Sequence, residues 1–185
     1  MQWLPELRLS WLNGWLLLAA FYIVFGVLML IFPRDVVARL YSVAHWSRQQ
    51  RWLSALGKLF SLSCLAIIIL SPLKLGAAVF FLGLAIFALG FTTMIIALFD
   101  YRSTPVGRPV TQGLYRFSRN PQWLSLAAML LGCCLAVGSW AGILLLLGAA
   151  CFYHFRILGE ERACLASYGG EYEHYLQRVP RYLLV

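Results

Sequence analysis

Five long apolar stretches alternate with short basic ones along this chain: Trp11–Phe32, Trp52–Ser71, Gly76–Leu98, Gln122–Val137 and Trp140–Ile157. A hydrocarbon core of ~30 Å takes about 20 helical residues, a length that the first three stretches reach. The last two are shorter, yet a single helix through both would overshoot a bilayer. Gly138-Ser139 between them predicts a break and hence a tight helical hairpin. The pattern is that of an all-α, polytopic membrane protein with about five transmembrane helices, a C-terminal helical hairpin and a tail. The first stretch lacks a basic leader and an Ala-x-Ala site, so it reads as an anchor. No soluble domain remains once the spans are removed. Residues 1–104 form a three-helix N-terminal part and 105–185 the hairpin and tail, the two making one integrated membrane domain.

Beyond the last stretch, Leu165, Tyr168, Tyr172, Tyr175 and Leu176 recur at helical spacing and are interrupted by Gly169-Gly170. This predicts a short helix, a glycine turn and a second amphipathic turn lying on the membrane. Composition agrees with membrane residence: 62% of residues are hydrophobic, 12% are charged and the mean hydropathy is +0.78. The net charge of +8 is dispersed through short loops, which argues against nucleic-acid binding. Arg34, Arg39, Arg48, Arg51, Arg102, Arg108, Arg116, Arg119 and the four tail arginines lie on one side, against Arg8 and Lys74 on the other. That bias predicts an outside N-terminus and a cytoplasmic C-terminus. Thirteen Arg against two Lys point to a bacterial inner membrane. The five Cys show no CxxC or Cys/His ligand spacing, so disulfides and metal are not expected.

Two polar clusters interrupt this scheme. The first is Gly113-Leu114-Tyr115-Arg116-Phe117-Ser118-Arg119-Asn120-Pro121-Gln122-Trp123, at the mouth of the fourth stretch; the second is Glu160-Glu161-Arg162, at the end of the fifth. A hairpin returns the chain to the face it left, so the clusters should meet around one small molecule. Asn120 is a favoured N-cap and Pro121 fits a first helical turn. With Arg116 and Arg119 nearby, that helix start favours an anionic group, while Glu160 and Glu161 offer acceptors. Each feature also has a plainer reading. The arginines suit lipid phosphates, and the glutamates offset Arg156 and Arg162. His45, His154 and His174 are isolated from other ligand-type residues and read as solvated.

Gly113-x-Tyr115-Arg116-x-x-Arg119-Asn120-Pro121-x-Trp123, then Glu160-Glu161-x-x-x-Leu165-x-x-Tyr168-Gly169-x-x-Tyr172-x-x-Tyr175, closing with Val179-Pro180-Arg181, resembles the isoprenylcysteine carboxyl methyltransferase family, which also takes in phospholipid methyltransferases. The resemblance covers roughly residues 105–182. It implies an integral-membrane enzyme that uses S-adenosyl-L-methionine to methylate a lipophilic acceptor entering from the bilayer, with membrane lipids as its surroundings. It further implies a cofactor site made by Gly113, Tyr115, Arg116, Asn120, Pro121 and Trp123 with Glu160 and Glu161, in which Arg119 and Glu161 are the catalytic candidates. In this resemblance Asn120 stands where better-known members have His, Trp123 where they have Tyr and Ser125 where they have Gly. Two other classes stay open at this stage: an NADPH-dependent membrane reductase of the sterol-reductase type and a non-catalytic lipid-binding protein.

Overall fold

The computed structural model describes residues 1–41, 48–105 and 107–183. Among them the chain forms α1 (Trp15–Ile31), α2 (Arg34–Leu40), α3 (Arg48–Leu70), α4 (Ala78–Ser103), a 3₁₀ turn (Gly113–Arg116), α5 (Pro121–Val137), α6 (Trp140–Tyr168) and α7 (Gly170–Arg178). The fold is all-α, as the apolar periodicity predicts. Three helices, Gln50–Leu70, Ala78–Ser103 and Trp140–Tyr168, are long and apolar enough to cross a membrane; α1 and α5 are apolar but shorter. His45 lies outside the described residues.

The first span begins four residues later than its hydropathy suggests, because residues before Trp15 are tied to the interhelical turns instead. The Gln2 amide donates to the Gly138 carbonyl at 2.8 Å, Trp140 donates to Gln2 at 3.0 Å, and Leu73 donates to Leu12 at 2.9 Å. Asn13 is fully buried, and its amide nitrogen donates to the Arg8 and Ile69 carbonyls at 2.6 and 3.0 Å. A buried amide with such partners fixes this segment as a structured cover across that end of the bundle.

Two helix pairs make up the core. Gly83 and Gly90 on α4 meet α5 so closely that a Cβ at either would collide with its backbone, and Gly132 on α5 does the same to α4. Small residues at such spacing let backbones approach, which is how helices pack without a hydrophobic drive between them. Ser125 donates to Thr93 Oγ1 at 2.8 Å within this seam. The hydroxyl at the position where Gly is the familiar residue is therefore absorbed by α4. On the other pair, Phe60 of α3 covers Gly148 and Phe152 of α6 covers Gly57, the two rings 5.4 Å apart. By contrast, α5 and α6 touch each other far less than either touches its partner. The hairpin turn between them is as expected: Gly138 takes the left-handed conformation at φ 69°, and the Ser139 hydroxyl caps α6 by accepting from Gly142 N at 3.0 Å.

The fifth apolar stretch and the expected short helix after it are one continuous helix of 29 residues, α6, which is about 43 Å at 1.5 Å per residue. Glu160 and Glu161 therefore sit inside a helix that continues past them, not at its end. The predicted glycine break falls at Gly169, with φ 57°, and α7 follows.

Candidate functional site

The end of α4 sets the first wall of the site. The Asp100 carboxylate accepts the Leu114 amide at 2.8 Å. Gly113 above it has φ +60°, and a Cβ there would strike the Asp100 carboxyl group. Only a residue without a side chain gives both the left-handed turn and this close approach. The 3₁₀ turn that results buries Tyr115 and leaves Arg116 exposed.

Asn120 occupies the N-cap of α5 with Pro121 at the first helical position, but its side chain does not cap the helix. It donates instead to the Arg181 carbonyl at 3.2 Å, an oxygen that also accepts from Ser118 Oγ at 3.1 Å. The Arg119 amide adds a bond to the Pro180 carbonyl at 3.0 Å. Sequence reasoning assigned the Asn120 side chain to the helix; the tail outcompetes the helix start for it.

Glu161 is the centre of the polar cluster. Arg119 approaches its Oε1 at 3.2 Å, and Arg181 binds both of its oxygens, with Nη2 to Oε2 at 2.8 Å. A fork-on-carboxylate arrangement of this kind combines directionality with charge. The Glu161 carboxylate holds the Arg181 guanidinium above its ordinary range. Glu160 faces the other way and accepts from Arg156 Nε at 2.7 Å, one helical turn earlier. The Arg156 guanidinium lies 5.0 Å over the Trp123 ring, whose centroid is 4.4 Å from that of Tyr153. Behind the cluster, Tyr175 of α7 donates its hydroxyl to the Tyr115 carbonyl at 2.7 Å. Burial pushes the phenols of Tyr115, Tyr172 and Tyr175 above their ordinary range.

Below this polar end, a cavity of about 160 Å³ opens between α5 and α6, with Ser61 of α3 on its wall. Trp123, Leu130, Leu146, Tyr153, Ile157 and Tyr182 line most of the rest. It exists because α5 and α6 diverge from their shared turn while each stays packed on its own partner.

The structure thus brings together Arg119, Asn120, Pro121, Trp123, Glu160 and Glu161, with the two clusters meeting through side chains. Gly113 and Tyr115 shape the wall behind them, and Arg116 points outward. Sequence reasoning missed Arg181, Tyr182 and Asp100 as contributors. Arg181 closes the Val-Pro-Arg motif, the one signal that marks it; Tyr182 and Asp100 carry none. Of the tyrosines in the tail, the one on the cavity wall is Tyr182. Among the described residues no group of His, Cys, Asp and Glu is arranged to hold a metal ion.

Comparison with curated proteins finds no match, and comparison with solved structures finds none. The profile of the phospholipid methyltransferase family matches residues 66–171, from the end of α3 through both hairpin helices into α7. That span exceeds half of the chain and contains every residue of the two polar clusters. The chain belongs to the phospholipid methyltransferase family.

Proposed function

We propose that this protein transfers a methyl group from S-adenosyl-L-methionine to a lipophilic, membrane-resident acceptor, of the isoprenylcysteine or phospholipid kind. The observation that carries the reading is the apolar cavity between α5 and α6, which ends in aromatic rings directly beneath a charged, tail-covered mouth. An amphipathic acceptor has the same two-part character.

The chain's residues fit the cofactor. Arg119 Nε is a buried donor without a hydrogen-bond partner among the described residues, which suits a carboxylate. The Trp123 and Tyr153 rings suit a sulfonium through their faces. Glu160, a third exposed at its side chain, suits an ammonium or a ribose hydroxyl. Arg116, Asn120 and Pro121 would complete this wall from the start of α5, with Gly113 and Tyr115 behind them. When bound, S-adenosyl-L-methionine supplies an electrophilic methyl group. The chain's own contribution is to align the acceptor and to exclude water from a ring-lined site. Glu161 holds the tail through Arg119 and Arg181, and its effect on chemistry runs through that positioning.

In this reading residues 1–104 and 105–185 act as one membrane domain, joined by the α4–α5 seam. The arginine bias supports a mouth that faces the cytoplasm and an N-terminal cover that faces outside, in a bacterial inner membrane. Calorimetric titration of detergent-purified protein tests the cofactor: we expect S-adenosylmethionine and S-adenosylhomocysteine to bind and NADPH not to. Binding of NADPH alone would sink the proposal.

A further inference from the structure

Methyl acceptors that carry an N–H or O–H must lose a proton, and the two glutamates at the mouth are already held by arginines. The cavity wall offers a different exit. Tyr182, from the tail, lines the cavity beside Trp123 and Tyr153. Its hydroxyl lies 2.9 Å from His154 Nδ1, and the two rings are 6.0 Å apart. His154 is on α6 one residue beyond Tyr153, half-buried, with the Phe155 ring at 5.9 Å on its flank. The pair therefore runs from the inside of an apolar cavity to a half-buried imidazole on α6.

We propose that Tyr182 and His154 form a proton relay for the acceptor. The inference rests on the methyl-transfer reading above and goes beyond it. With the ring proton of His154 on Nε2, its Nδ1 accepts. The acceptor's N–H or O–H bond breaks as its proton passes to Tyr182 Oη. The Tyr182 O–H bond breaks in turn, and that proton goes to His154 Nδ1. Tyr182 ends as it began, His154 becomes an imidazolium, and no electron is gained or lost. Tyr182 touches the acceptor, while His154 acts through it. The charged groups facing the pair are Arg181, which draws the phenol towards ionisation, and Glu161, which opposes it. Burial, reinforced by Glu161, outweighs Arg181 and holds the phenol above its ordinary range. Tyr182 therefore passes a proton along and does not store a charge.

The test uses the full chain in detergent, S-adenosylmethionine with a labelled methyl group, and a total bacterial lipid extract as acceptor. Tyr182→Phe keeps the ring and removes the hydroxyl; His154→Asn keeps a hydrogen-bond acceptor that does not titrate. We expect each to lower kcat about 100-fold with apparent KM and S-adenosylhomocysteine affinity held within about two-fold, and the double variant to lose no more than either alone. A Tyr182→Phe protein with unchanged kcat overturns the relay, as does a parallel loss of S-adenosylhomocysteine binding, which would make Tyr182 a structural wall. If the unaltered protein binds no S-adenosylhomocysteine, or labels no lipid, the methyl-transfer reading falls and the relay with it.

Discussion

Glu161 has two guanidinium partners and a side chain only 10% exposed, so its charge is compensated from both sides. Replacing it with Gln leaves Arg119 and Arg181 facing one another across a neutral amide. Breaking a buried pair in this way costs about 3 kcal/mol, so Glu161→Gln should lower the detergent melting temperature. It should also expose Arg178 and Arg181 to trypsin, with cleavage compared against the unaltered protein. An unchanged digestion pattern would show that the tail is held by its backbone bonds alone. That the start of α5 and the Glu160-Glu161 pair of α6 come together, as Arg119 and Glu161 do, was legible from hairpin geometry. That Arg181 completes it was not, because nothing local says that a tail twenty residues on from Glu161 folds back onto it. The same return of the chain explains Asn120: its side chain, placed to accept from the start of α5, donates instead to the Arg181 carbonyl of the tail.

At the scale of elements, the α4–α5 seam depends on bare backbone at Gly83, Gly90 and Gly132. Gly132→Ala places a methyl group against the Phe87 and Gly83 backbone of α4, and overpacking of this kind costs about 1–3 kcal/mol. The expected outcome is a lower melting temperature and a poorer yield of monodisperse protein. Gly26→Ala, which meets open space, serves as the control and should change neither. The break at Gly138-Ser139 was readable because both residues have a backbone role that no other pair fills as well. The length of α6 was not, since Glu160-Glu161-Arg162 resembles the polar end of a span. The Arg156–Glu160 pair, one turn apart on one face, instead supports the helix through the charged stretch.

For the molecule as a whole, alkaline pH is the informative perturbation. Burial raises the Tyr115, Tyr172 and Tyr175 phenols in the folded chain, whereas an unfolded tyrosine titrates near 10. Above about pH 10 the unfolded chain therefore holds fewer protons than the folded one, and stability falls as pH rises. The stabilisation is present in full below that point. Melting temperature should be flat up to about pH 10 and then decline, with some of the nine tyrosines acquiring phenolate absorbance only as the protein unfolds. Simultaneous ionisation of all nine, with no loss of stability, would contradict the burial of these three. The sparse contact between α5 and α6 bears on mechanics. The α4–α5 and α3–α6 pairs are two arms joined at the Gly138 turn, and the tail lies as a clasp across their free ends. Wedging the arms apart sacrifices little packing but strains the clasp. Room for a bulky chain between α5 and α6 and the hold of Arg181 on Glu161 are thus set by the same geometry.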